Sequence, residues 1–153
     1  MKLAKRMSAI AVLLAALALS TMSVGDAAAA VSPVRISKVF YDPAGTDTRT
    51  NAHLNLEYVV ITNTSAKTQP LTRWTLRDAQ NHVFTFPAFT LGAGRSVTVH
   101  TGKGTASSAH RYFNSGNYIW NNTADTAVLK NAANATMSTC AWKTHAAGGY
   151  KSC

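Results

Sequence analysis

Leu54 to Asp78, LNLEYVVITNTSAKTQPLTRWTLRD, decides the fold. Val59 and Ile61 fall on one side of an alternating run, Tyr58 and Val60 on the other. Successive side chains of a strand point to opposite faces, so Leu54 to Thr62 is predicted as a strand. Apolar residues on both faces place it centrally in its sheet. Asn63 to Lys67 is turn chemistry. Leu71 to Arg77 resumes a strand, with Trp74 and Leu76 on one face. Asp78 to Asn81 turns again.

The same rhythm runs outward in both directions. Val31 to Tyr41 is predicted as the first strand, with Val34, Ile36 and Phe40 sharing a face. Asp42 to Ala52 is loop-like, rich in Asp, Pro, Gly and Thr. Downstream strands are predicted at His82 to Phe86, Arg95 to His100, Tyr118 to Trp120, Thr126 to Leu129 and Thr136 to Trp142. Pro87 stops the first of these. Thr101 to Asn117 is the longest irregular stretch. No helical periodicity appears beyond the first thirty residues. Many short strands with frequent turns predict an all-β sandwich. Its expected core is Val59, Ile61, Trp74, Leu76, Phe84, Phe86, Val97, Val99 and Leu129.

Residues 1–30 read as a signal peptide. Lys2, Lys5 and Arg6 precede the apolar run IAVLLAALAL at Ile10 to Leu19, and Ala27 to Ala30 offers cleavage after Ala29 or Ala30. The run is too short to span a bilayer, which takes about 20 residues. The mature chain would hold a single sandwich domain, 31–143, and a loose tail, 144–153. Setting aside Lys2, Lys5, Arg6 and Asp26 leaves 12 basic and 5 acidic residues, a formal net charge of +7. That balance favours anionic partners, although the basic residues form no run. Cys140 and Cys153 both survive processing, and in an oxidising compartment they are expected to pair, tethering the tail to the last strand.

The five histidines are scattered, without metal-ligand spacing or H-E-x-x-H. Asp42 and Asp47 in D-P-A-G-T-D supply hard-oxygen ligands for calcium but lack an EF-hand pattern, so they are weak candidates. Asp78 and Asp125 sit in turns, where such side chains cap backbone N–H groups. Glu57, among apolar neighbours, needs a partner such as Arg73 or Arg77 if it is buried. The best ligand surface is expected in the long loop, where Lys103 and Arg111 interleave with Tyr112 and Phe113: rings stack on sugars or bases and cations meet acidic groups. No cofactor and no catalytic residue is expected.

Six stretches together resemble the lamin tail domain family: VRISKVFYD at Val34 to Asp42, EYVVITN at Glu57 to Asn63, LTRWTLRD at Leu71 to Asp78, FTFP at Phe84 to Pro87, LGAGRSVTVH at Leu91 to His100, and WNNTADTAVLKN at Trp120 to Asn131. The leader makes the resemblance one to a secreted bacterial branch. It implies an immunoglobulin-like β-sandwich that serves as a binding or scaffolding module, with no known catalytic centre. Two positions depart from the pattern. Arg73 stands where the family often has Gly before the Trp, and Ala124 where a Gly-Asp pair is common. The expected function is a secreted, monomeric, non-catalytic domain for an extracellular or cell-envelope partner. The alternatives are a binder of an anionic polymer (nucleic acid or wall polysaccharide) and a small secreted hydrolase.

Overall fold

The computed structural model describes residues 32–143, 146 and 148–153. The signal-peptide reading of residues 1–30 lies outside the described residues, as does His145. Eleven strands are found among the described residues: β1 (Val34–Phe40), β2 (Tyr58–Asn63), β3 (Gln69–Pro70), β4 (Thr75–Arg77), β5 (Val83–Thr85), β6 (Thr90–Leu91), β7 (Ser96–His100), β8 (His110–Tyr112), β9 (Asp125–Lys130), β10 (Thr136–Trp142) and β11 (Tyr150–Ser152). One sheet runs β11-β1-β2-β7-β8, a second runs β10-β9-β4-β5, and β3 pairs with β6 as a small ribbon. The two larger sheets form an immunoglobulin-like β-sandwich. Alternation is the cause. β2 buries Val59, Ile61 and Asn63, β7 buries Val97 and Val99, and β9 buries Asp125, Ala127 and Leu129, each at every second residue.

The core lies between the sheets. Val59, Ile61, Leu76, Phe86, Val97, Val99 and Leu129 are buried in it. Trp74 and Phe84, expected with them, are only half-buried and pack at its margin. Residues outside the expected set join the core: Tyr41, Leu71, Leu91, Trp120 and Trp142. Tyr41 stacks on Trp142, with ring centroids 4.8 Å apart. Burying each such side chain contributes about 1.5–3 kcal/mol.

Tyr118 to Trp120, predicted as a strand, is irregular, and the other strand boundaries need four corrections. The strand predicted from Leu54 begins only at Tyr58. Asn51–Leu54 is a short helix, α1, because the Thr50 hydroxyl accepts from the His53 N–H and Leu54 turns into the protein. The strand predicted over Leu71 to Arg77 is broken by a turn in which Trp74 N–H donates to Leu71 O at 2.9 Å. Arg73 occupies that turn at φ 65°, where glycine is favoured. This explains why its departure from the family pattern matters, and a non-glycine residue there costs about 1–2 kcal/mol. The long loop contains strand β8, which pairs in parallel with β7.

The fourth correction concerns the tail. Residues 144–153 were expected to be loose, but Tyr150–Ser152 is the edge strand β11, antiparallel to β1. Gly149 makes this approach possible. Its carbonyl accepts from Tyr41 N–H and Asp42 N–H at 2.9 and 3.0 Å, and its φ is 64°. A Cβ there would lie 1.9 Å from Asp42 O. Cys153 is bonded to Cys140 of β10, so the disulfide joins an edge strand of one sheet to an edge strand of the other. Among the described residues no helix is long and apolar enough to cross a membrane.

Candidate functional site: the outer face of the five-stranded sheet

Alternation along β1 is interrupted. A β-bulge shifts the β1–β2 register between Ile36 and Lys38. Val34 and Ile36 point inward before it, and Val39 points inward after it. One extra residue reverses the parity of everything downstream. Phe40, predicted on the core face with Val34 and Ile36, therefore lies on the solvent side.

That reversal completes a row of rings across the sheet. Phe40 is paired in register with Tyr150 on one side and Tyr58 on the other. Tyr58 is paired with His100, and His100 with Tyr112. Every strand of the sheet supplies one ring. Centroid separations are 6.3 Å for Tyr150–Phe40, 5.3 Å for Phe40–Tyr58, 5.8 Å for Tyr58–His100 and 5.2 Å for His100–Tyr112. Phe40, Tyr58, His100 and Tyr112 are half-buried, and Tyr150 is 39% exposed. At the usual strand spacing the row is about 19 Å long.

Two polar rows run beside it. Ser152, Lys38, Val60, Thr98 and His110 are successive partners in register. Beyond them the hydroxyls of Ser37, Thr62 and Ser96 bond at 2.9 and 2.8 Å. Lys38 Nζ sits 4.1 Å from the Tyr150 ring centroid, a cation–π contact. His100 Nδ1 donates to the Asn55 carbonyl at 2.8 Å, so in its neutral form His100 presents Nε2 as an acceptor to His110 Nδ1–H, 3.0 Å away. Burial lowers the pKa of His100, and the neighbouring His110 lowers it further, against the raising effect of the Asn55 bond.

Beneath the row, Glu57 and Thr101 continue the β2–β7 pairing inward. Thr101 N–H donates to Glu57 O at 3.0 Å, and the Thr101 hydroxyl donates to Glu57 Oε1 at 2.6 Å. Ile119 N–H and Trp120 N–H donate to the same oxygen at 2.8 and 3.4 Å. Glu57 is fully buried, and its Oε2 has no hydrogen-bond partner. Burial pushes its pKa up to about 7, against the lowering effect of those bonds. The expected arginine partner is thus replaced by a hydroxyl and two backbone amides. Arg73 is exposed in its turn, and Arg77 reaches Asn81.

Of the four loop residues, Tyr112 ends the aromatic row and Lys103 is exposed close by, its carbonyl held by Asn51 and Asn55. Arg111 is buried with its guanidinium 4.1 Å from the Phe89 centroid, and Phe113 packs against the core. Parallel pairing with β7 turns residue 111 inward while 110 and 112 face out. Asp42 Oδ1 accepts from Asn122 Nδ2 at 2.8 Å, whereas Asp47 is exposed. Among the described residues no group of three or more His, Cys, Asp or Glu side chains is placed to hold a metal. Asp125 Oδ1 accepts from Ala79 and Thr126 N–H groups and Oδ2 from Asn121 N–H, fastening two turns together. Asp78 Oδ1 accepts from the His82 N–H and Oδ2 meets His82 Nδ1.

Sequence reasoning did not find Phe40, Tyr58 or Tyr150. The available signal was the outward parity of Tyr58 and His100, which placed two rings on one face without showing that they adjoin.

The fold and this face define an immunoglobulin-like module that carries a half-exposed aromatic surface on one sheet. The chain belongs to the lamin tail domain family, whose model matches residues 27–144. No curated protein matches it.

Proposed function

We propose that this protein is an exported, non-catalytic recognition module that docks an extracellular or cell-envelope partner through the outer face of its five-stranded sheet. The carrying observation is the aromatic row, which draws one half-buried or exposed ring from each strand. A ring on the solvent side of a sheet adds nothing to the core between the sheets, and exposed aromatic surface is characteristic of recognition sites. Membership of a family of immunoglobulin-like modules supports the non-catalytic part. The Glu57 carboxylate serves the fold, since its bonded oxygen holds Thr101, Ile119 and Trp120.

Export rests on the leader and is checked by intact mass. Protein recovered from the medium is expected to begin at Ala30 or Val31; full-length chain retained in the cell would sink this part of the reading. Docking is checked by co-sedimentation with isolated envelope fragments. Val60→Glu combined with Thr98→Glu places two charges at the centre of the face. The pair is expected to weaken sedimentation about tenfold, a loss of about 1.4 kcal/mol in binding. Undiminished sedimentation of a folded double variant would mean that another surface docks.

A further inference from the structure

We infer that the ligand of this face is an anionic polysaccharide, lying along the sheet as an extended chain. The inference rests on the reading of the outer face as the docking surface and adds the chemistry of what docks.

Charge is the first ground. The five strands of the sheet contain no Asp or Glu. Lys38 stands in the row next to the rings, and Arg35 lies beside the hydroxyls, its Nη1 donating to the Cys153 carbonyl oxygen at 3.1 Å. The side-chain carboxylates of the described residues lie elsewhere. Glu57 points inward, Asp78 and Asp125 are buried at the turns of the other sheet, and Asp42 and Asp47 belong to the loop after β1. A face with two basic side chains and no opposing side-chain carboxylate is complementary to a chain of negative groups.

Ring orientation is the second ground, and it separates sugar from base. Phe40 lies nearly parallel to both neighbours, 8° from Tyr58 and 4° from Tyr150. His100 is within 19° of Tyr112. Rings in these two runs cover one another's faces, while Tyr58 and His100, where the runs meet, are tilted by 59°. The Tyr112 end of the row is covered as well. Gly104 packs so closely on Tyr112 that a Cβ there would come within 2.3 Å of the ring, whereas Lys38 Nζ, 4.1 Å from the Tyr150 centroid and 5.7 Å from that of Phe40, sits on the side of Tyr150 that faces Phe40. What remains open is mainly the ring edges and the phenol hydroxyls, with the outer side of Tyr150 and the tilted Tyr58–His100 step. Single-stranded nucleic acids bind by stacking successive bases on a series of open aromatic faces, and stacking within this row takes up most of them. Ring edges carry the positive end of the aromatic quadrupole, and they favour carboxylate and hydroxyl oxygens.

The third ground is the hydroxyl row. Ser37, Thr62 and Ser96 are linked to one another, with Thr98 in the row between them and the rings. Hydroxyls that already donate and accept in series are suited to a polyhydroxylated ligand. The surface is a strip crossing five strands, which fits a linear chain better than a single small molecule.

The test uses immobilised polygalacturonate, with neutral dextran and a charge-matched oligo(dT) as comparisons. Retention on polygalacturonate is expected to exceed retention on either comparison and to fall as salt rises. Lys38→Glu with His110→Glu is expected to weaken it at least tenfold in a protein that still unfolds cooperatively. Lys130→Glu with Lys143→Glu changes two charges away from this sheet and is expected to leave most of the binding intact. Equal losses in the two pairs would overturn the proposal, because net charge alone would then account for binding. Oligo(dT) or dextran binding as well as polygalacturonate would overturn it, and so would failure to bind polygalacturonate at low salt. If envelope binding is still lost in the Val60→Glu, Thr98→Glu variant, that failure refutes the polysaccharide and leaves the docking face standing.

Discussion

Replacing Glu57 with alanine is expected to remove about 3–4 kcal/mol of stability, the largest effect of any single substitution argued for this chain. The loss strands the Thr101 hydroxyl and the Ile119 and Trp120 N–H groups, which now share Oε1 in a fully buried setting. The expected readout is a lower midpoint in urea with an unchanged slope. A shift below about 1 kcal/mol would show that water or a neighbour replaces the carboxylate at little cost.

The same carboxyl sets a pH dependence whose sign follows from its raised pKa. The folded value is about 7 against an ordinary 4.5, so folding favours the protonated acid. Its contribution is complete below pH 4.5, where both states hold the proton. It falls as the unfolded chain ionises and is lost once pH has risen through about 7. Glu57→Gln keeps an acceptor oxygen and does not ionise. The stability of the variant relative to the unmodified protein should therefore rise between pH 4.5 and 7, by on the order of 3 kcal/mol. A constant difference across that window would refute the assignment.

Removing the disulfide is expected to cost about 3 kcal/mol, from the loop of sequence separation 13 that it closes. Cys140→Ala with Cys153→Ala avoids placing a polar group at the buried 140 position. For a domain of this size the loss corresponds to a melting point lower by about 10 °C. The effect should begin locally. β11 contains only Tyr150–Ser152, and Cys153 N–H donates to Ser37 O at 3.0 Å. Without the crosslink the strand is held by its β1 pairing, the Tyr150–Phe40 stack and the Gly149 contact with the Tyr41 and Asp42 amides. Amide exchange at 151 and 153 should accelerate before the rest of the sheet responds. If β11 stays protected and the melting point moves by under 3 °C, pairing and stacking already hold the strand.

Because β11 supplies Tyr150, the disulfide also bears on the candidate site. The five rings come from residues 40, 58, 100, 112 and 150, and no local stretch contains more than one of them. Cross-strand ring pairs contribute about 0.5–1.5 kcal/mol each beyond the area they bury. The row therefore stabilises the edge strands β8 and β11 while giving the sheet its outward chemistry.

By itself the sequence determined the sandwich, the central place of the Tyr58–Asn63 strand, the inward set Val59, Ile61, Leu76, Phe86, Val97, Val99 and Leu129, and the pairing of Cys140 with Cys153. These follow from period-two alternation and cysteine count, which local composition records. Only the tertiary structure decided which way Phe40 faces, that Arg111 turns inward, that residues 150–152 form an edge strand, and that five separate rings meet in one row. The physical reason is register. A bulge of one residue reverses every side chain after it, and whether rings on different strands adjoin depends on pairings between segments as much as 110 residues apart, such as Phe40 with Tyr150.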